Sequence, residues 1–291
     1  MAQYLWIPLT LIFGIFKGAR ELLKKGALDY NTGLEILLLY SISSFVLVLP
    51  NTKEAFFLDE WWLYFAVALK ALAVFIAWIC GFAALEKMPV SIYSILDLSG
   101  ILFSTLFAVI FVGESLTLTV TLGIVLVCIG LFMLKIKPKK STVITKDANS
   151  VAAKYVILAF CYTGFNSVSG TLDKLLRRDN LISSVQLQYW FMLFLCLFYC
   201  LYFLLKRIPV NWKTVLKNYR IYIMAILLIL ADRAYFTANG MNSSLTVMTL
   251  LKQISCIVVI IGGKIFFKEK DITYKLLCAA IVITGIVIST L

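Results

Sequence analysis

The sequence predicts an all-α membrane protein with ten transmembrane helices, built as two inverted five-helix repeats. Three observations predict it. The first is composition: of 291 residues, 62% are hydrophobic and 14% charged, whereas a soluble domain carries roughly 45–50% apolar and about 25% charged residues. With a mean hydropathy of +0.96, the solvent of this chain is lipid. The second is spacing. A spanning helix needs about 20 apolar residues, and apolar windows lie near residues 4–24, 33–50, 61–85, 90–112, 117–136, 153–174, 183–205, 219–240, 245–266 and 274–291. They leave no room for a soluble catalytic domain or a nucleotide-binding cassette. The third is internal similarity between the halves.

The separators are short and polar: Asn31-Thr32, Asn51 to Glu60, Lys87 to Pro89 and Gly113 to Leu116, with counterparts later. The longest, Lys137 to Ser150, is rich in Lys, Ser and Thr and falls halfway along the chain. It divides a first repeat (1–136) from a second (153–291) through a basic linker (137–152). At an offset of 150, Gly14 meets Gly164, Lys24 meets Lys174 and Asp29 meets Asp179. At an offset of 155, Phe111-Val112-Gly113-Glu114-Ser115-Leu116-Thr117 meets Phe266-Phe267-Lys268-Glu269-Lys270-Asp271-Ile272, and Gly130 meets Gly285. Because five is odd, the second copy enters the membrane from the opposite side. That places a pseudo-two-fold axis in the membrane plane and a site near the midplane between the repeats.

Several classes are excluded. There is no histidine, so neither a histidine-ligated metal nor histidine acid–base chemistry is expected. No metal, no cofactor and no enzymatic cluster of nucleophile and base is expected. The net charge of +12 does not point to nucleic acid, because the bases sit in short loops and form no separate domain. Cys80, Cys128, Cys161, Cys196, Cys200, Cys256 and Cys278 all fall in apolar stretches and read as small packing residues. The N-terminus lacks the basic region and the small-residue site of a cleavable signal.

Pro89-Val90-Ser91 opens the fourth segment, and Phe111-Val112-Gly113-Glu114 precedes a glycine-spaced fifth. The second copy carries Phe266-Phe267-Lys268-Glu269. On these residues each half resembles an EamA domain of the drug/metabolite transporter superfamily. The resemblance implies a secondary transporter or exporter of small metabolites that works without ATP. It also implies a cavity lined by segments one to four and six to nine, with segments five and ten at the periphery. The expected location is integral and multi-pass in the plasma (cell) membrane, with a homodimer through segments five and ten among the expected partners. Where a proline often follows in the fourth and ninth helices of that family, this sequence has Asp97 and Lys252.

Charges inside spans cost about 2.5–3.5 kcal/mol each at the centre of a lone helix and therefore tend to be functional. Here they are Lys17, Arg20 and Glu21 in the first segment, Glu35, Lys70 and Asp97 in the next three, and Asp173, Asp232, Arg233, Lys252 and Lys264 in the second half. Segments five and ten have none in their interiors. Lys17 and Glu21 are four apart, so a simple pair competes with a functional role. Glu35, Asp173 and Lys264, near helix ends, are expected to reach the interface by snorkelling. The candidate substrate contacts are Lys70, Trp78, Tyr93, Asp97, Asn166, Gln188, Asp232, Arg233, Tyr235 and Lys252. The candidate gate or proton-coupling groups are Lys17, Glu21, Asp97 and Asp232. Tyr40, Ser167, Tyr189, Trp190 and Gln253 fall at further cavity positions, while Trp61, Trp62 and Trp212 lie beside loops and mark the interface.

Asp97 aligns with Lys252 at the offset of 155, so the repeat axis exchanges an acid for a base. A long separation suits the two ends of a zwitterion or two gates; an approach below about 4 Å makes a buried pair. Orientation follows from the bases: 17, Lys24 and Lys25 among them, lie in the odd-numbered loops, four (Lys53, Lys174, Arg177 and Arg178) in the even-numbered ones and six in spans. The positive-inside rule then puts both termini outside, whereas the resemblance implies termini inside. The expected function is transport of a small polar or zwitterionic, amino-acid-like metabolite by alternating access, as an exporter, with a coupling proton as a possible partner. The alternatives are a carrier of organic phosphates or other anions and a flippase of a lipid-linked sugar.

Overall fold

Each hydrophobic segment is helical in the computed structural model, which describes residues 5–113, 115–135, 153–241, 244–269 and 272–290. The helices are α1 (Trp6–Ala27), α2 (Gly33–Val48), α3 (Trp61–Lys87), α4 in two pieces (Val90–Asp97 and Gly100–Phe107) and α5 (Leu118–Lys135). They continue as α6 (Ala153–Arg177), α7 (Ser184–Lys206), α8 (Tyr219–Asn239), α9 in two pieces (Leu245–Leu251 and Ile254–Phe267) and α10 (Ile272–Thr290). Single helical turns, Thr52–Ala55 and Trp212–Val215, precede α3 and α8. The linker 137–152, Glu114, Lys270 and Asp271 lie outside the described residues.

Local sequence explains the starts. Thr32 opens α2 and Ser183 opens α7, each with a reciprocal capping box, to Glu35 and Gln186 respectively. Such caps satisfy amide donors that the first turn of a helix leaves free. Ser244 caps α9 through the Val247 amide. Pro89, which has no amide hydrogen, precedes α4. The end of that helix, Ala108–Val112, widens into a π-type turn and stops at Gly113, whose φ of +76° suits glycine.

Six helical stretches are long and apolar enough, by length and composition, to cross a membrane: Gly33–Ala55, Trp61–Lys87, Val90–Val112, Ser184–Lys206, Tyr219–Asn239 and Leu245–Phe267. Their outer surface is apolar. Phe65, Leu204, Leu205, Ile265 and Phe266 are all exposed, which in water would invite aggregation and in a bilayer does not. α1 and α6 are not among the six. They bury polar side chains, Arg20, Glu21 and Lys24 on α1 and Thr163, Ser167, Ser169 and Asp173 on α6.

These two polar helices take the interior. α1 packs on α8 and α9, and α6 packs on α3 and α4. α3 lies against α7, α2 against both α7 and α8, and α5 pairs with α10. α1 approaches α9 closely because it presents Gly14 and Gly18, four apart. A Cβ on Gly14 would come within 2.8 Å of the Lys252 carbonyl oxygen, and one on Gly18 within 2.8 Å of that of Ser255. Small residues at this spacing let membrane helices touch backbone to backbone. Gly285 on α10 lies as close to Gly123 on α5.

Two corrections concern helix ends. α1 runs to Ala27 and α6 to Arg177, so Lys24, Lys174 and Arg177 are helix residues and not loop residues. Lys24 and Arg177 are buried. The charged turn of each helix is kept helical by the partners it finds inside the protein.

Candidate functional site

α1 supplies most of the charge at the centre. Lys17, Arg20, Glu21 and Lys24 recur at helical spacing and point inward along one face. Around them is a cavity of about 100 Å³ lined also by Phe13, Lys70, Val74, Trp78, Tyr162, Asn166, Ser169, Gly170, Asp173, Phe191, Leu228, Asp232, Tyr235, Phe236 and Lys252. That volume has room for several waters or a metabolite of a handful of heavy atoms. Five of the lining residues are basic and three acidic.

Most of these charges are already neutralised. Lys24 Nζ donates to Glu21 Oε1 at 2.6 Å, and it lies 5.4–5.9 Å from the ring centroids of Trp78, Phe82 and Tyr162. Lys70 Nζ sits 3.2 Å from Asp173 Oδ1 and 3.4 Å from the centroid of Phe191. Lys17 Nζ donates to Asp97 Oδ2. A buried charge survives when paired or set against aromatic faces, and these three are.

Three charged groups remain. Arg20 donates to the Tyr40 hydroxyl at 3.1 Å and lies within electrostatic reach of Asp232 and Glu21. Asp232, buried on α8, has no hydrogen bond or ion pair among the described residues and feels Arg20 and Lys70. Lys252, at the break of α9, likewise has no ion pair; its ammonium lies 5.3 Å from the Tyr235 ring centroid. Phe13 also packs on Tyr235 in a tilted arrangement, with ring centroids 4.6 Å apart.

The sequence candidates therefore divide. Lys70, Trp78, Asn166, Asp232, Tyr235 and Lys252 line the cavity, as do Lys17 and Glu21. Asp97, Tyr93, Gln188 and Arg233 are not among its lining residues. Asp97 is turned to Lys17 and forms no ion pair with Lys252. Tyr93 packs on Tyr162, centroids 5.4 Å apart. Arg233 Nε donates to Gln188 Oε1 at 2.7 Å, and Gln188 Nε2 donates to the Ile229 carbonyl at 2.7 Å, so this pair satisfies itself between α7 and α8.

Three expectations change. Lys17 and Glu21 do not pair with each other, because Lys17 reaches across to Asp97 and Glu21 finds Lys24 one turn on. Asp173 does not reach an interface; it is held inside by Lys70. Glu35 is buried too, accepting from the Thr32 amide and hydroxyl and from the Asn211 amide. Lys264 is exposed. Arg20 is legible as a charge on the face of Lys17; Lys24, read with the loop bases, continues that face. Phe13, Tyr162, Phe191 and Phe236 carry no signal that separates them from the many other aromatics.

Residues 5–136 match the model of the EamA-like transporter family. No curated protein sequence matches the chain. One protein of known crystal structure, 12% identical, superposes with a TM-score of 0.69 over 99% of this chain and 97% of that one, which shows that the fold is shared. The helices, the apolar outer surface and this match agree. The chain is an integral, multi-pass membrane protein whose residues 5–136 are similar to the EamA-like transporter family.

Proposed function

We propose that this protein is a transporter that carries a small zwitterionic, amino-acid-like metabolite by alternating access, with the substrate held between Asp232 and Lys252. The carrying observation is what remains after pairing. Three ion pairs take up Lys17, Lys24 and Lys70, and the cavity keeps Asp232, Lys252 and Arg20 for a ligand. An ammonium group would replace the missing partner of Asp232. A carboxylate would meet Lys252 and the Arg20 guanidinium, which binds carboxylates well because its donors form a planar fork. Tyr235, Phe13 and Trp78 would supply the apolar wall.

Two inverted repeats of five helices form the frame of this reading. Exchanging α1–α5 for α6–α10 preserves the main packing contacts: α1 on α8 becomes α6 on α3, α1 on α9 becomes α6 on α4, and α2–α7 and α5–α10 return to themselves. The helix ends support it as well. Lys25 donates to the carbonyls of Leu85 (2.8 Å) and Met88 (3.1 Å) between α3 and α4. Lys174 donates to those of Asn239 and Met241, both at 3.4 Å, between α8 and α9. Both sets are made here, and rocking of one repeat against the other would loosen each in turn, exposing the site to each side.

The test is thermal stabilisation of the purified protein against amino acids, amines, phosphate esters, nucleobases and sugars. A ligand at a hundred times its dissociation constant adds about 2.7 kcal/mol. An amino-acid-like ligand should stabilise the protein, and Asp232→Asn and Lys252→Gln should each remove the effect. Stabilisation surviving in both variants would overturn the assignment. The basic surplus of the cavity favours one second reading, an organic anion carrier; stabilisation by phosphate esters and not by amino acids would select it. Asp232 is also the acid left for a coupling proton. Transport that is unchanged between about pH 5.5 and 8 and indifferent to a proton gradient would remove that role.

A further inference from the structure

A second cavity lies away from the centre, where the α1–α2 turn meets the loop before α8. It has a volume of about 410 Å³ and is lined by Tyr30, Thr214, Lys217, Asn218, Tyr219 and Arg220. We infer that it binds a phosphate group, the headgroup of an anionic lipid lying against this face of the protein.

The cavity is built in advance of any ligand. Asn218 Nδ2 donates to Asn31 Oδ1 at 3.0 Å and to the Ala27 carbonyl at 3.3 Å. Asn31 Nδ2 donates in turn to Thr214 Oγ1 at 3.0 Å. This ladder ties the turn of the first half to the loop of the second. Arg220 is fixed by donating to the Gly26 carbonyl, and its guanidinium lies 5.1 Å from the ring centroid of Tyr30 and 5.8 Å from that of Tyr219. A cation held between aromatic faces keeps donors free at its edge. Lys217, exposed and with no ion pair among the described residues, stands three positions away on the same wall.

The surroundings favour a lipid source. From Lys206 to Arg220 the chain has five bases and no acid. Of the nearby acids, Glu35 is engaged by Thr32 and Asn211, and Asp29 is exposed at the turn. Tyr30 and Tyr219 on its walls, and Trp212 and Leu216 in the same loop, are all exposed, the composition that settles at the headgroup level of a bilayer. A cluster of bases beside a membrane helix attracts anionic lipid by about 1 kcal/mol per base. Because both halves contribute walls, occupancy would clamp their relative position.

The purified protein in mild detergent tests this. Phosphatidylglycerol should raise its melting temperature and phosphatidylcholine should not. Lys217→Gln and Arg220→Gln should each weaken the apparent affinity for phosphatidylglycerol about fivefold. Lys217 is exposed, so its variant stays informative if Arg220→Gln fails to fold. An equal shift from inorganic phosphate alone would support the phosphate site and assign its ligand to a soluble source. Equal shifts from both lipids, or an undiminished phosphatidylglycerol shift in Lys217→Gln, would overturn the inference. The central site is not involved, so loss of this response with the metabolite response intact separates the two.

Discussion

α4 and α9 both break in mid-helix, Asp97 at one break and Lys252 at the other, yet their surroundings differ. At the α4 break the charge is paired with Lys17. Hydroxyls of α6 fill the gap: Ser99 Oγ lies 3.2 Å from Thr163 Oγ1, and Ser167 Oγ donates to the Gly100 carbonyl at 3.1 Å. At the α9 break the neighbouring helix offers glycines instead, Gly14 and Gly18, and backbone meets backbone. There Lys252 has no ion pair, and the buried Gln253 Oε1 and Thr249 Oγ1 have no hydrogen-bond partner, among the described residues. Unmade hydrogen bonds of buried groups are costly, so a protein retains them where a ligand or a second conformation satisfies them. One break is a finished joint, and the other is left open for work.

The largest effect that would sharpen this contrast is on stability. Asp97→Asn leaves Lys17 facing a neutral group and should cost about 3–5 kcal/mol, the range for breaking a buried pair. Lys252→Gln removes an unpaired buried charge and should leave unfolding unchanged or raise its midpoint. The double change Lys17→Met with Asp97→Leu should recover most of the loss, since an apolar pair replaces a buried ionic one at little cost. Denaturant unfolding of the three variants in one detergent gives the comparison; equal losses for Asp97→Asn and Lys252→Gln would erase it.

A smaller effect separates the glycines. Gly14→Ala drives a Cβ into the Lys252 carbonyl and the Ile254 side chain and should cost about 1–3 kcal/mol by overpacking. Gly164, which aligns with it at the offset of 150, has open space where a Cβ would go. Gly164→Ala should therefore be neutral or stabilising by up to about 1 kcal/mol, the ordinary helix preference for alanine. Similar melting temperatures for the two variants would show that the close approach of α1 to α9 is not specific.

The fold was legible for a simple reason. Lipid demands long apolar runs, and a helix lies on each run the sequence displays. Lys17, Lys70, Asp232 and Lys252 were legible in the cavity because a charge in an apolar run has few places to go. What failed was partner choice. Sequence spacing points Lys17 to Glu21, but Asp97 reaches Lys17 only because α4 breaks beside α1, and nothing local announces that contact. Lys24 and Asp173 were misplaced because distance from a helix end says little about depth when the helix itself is interior. Tyr162 and Phe191 were missed because lipid-facing and cavity-facing aromatics look alike in a sequence.

A pH experiment probes the rim of the α4 joint. Glu269, in the turn after α9, accepts from the Ser91 amide and hydroxyl at the start of α4 and pairs with Lys275 at 2.8 Å. Burial alone would raise its pKa, but the hydrogen bonds from Lys275 and Ser91 outweigh it and hold the carboxyl below its ordinary value. A carboxylate with a depressed folded-state pKa stabilises the protein above its unfolded pKa and loses that contribution as the pH falls through the folded value. The melting temperature should therefore drop on acidification below the ordinary glutamate range, and Glu269→Gln should flatten that drop.

The smallest effect belongs to the hydroxyls. Ser167→Ala removes a donor to the Gly100 carbonyl and a partner of Ser104 Oγ at 3.2 Å. In water such a buried loss would be felt, but in a bilayer the unfolded helices also find polar partners. Interhelical hydrogen bonds there average only about 0.6 kcal/mol. The variant should melt within a degree or two of the parent on the usual scale of about 2–4 °C per kcal/mol for larger domains and keep its ligand response. If the response weakens while stability holds, the α4 break moves during transport and is not the finished joint that its satisfied contacts describe.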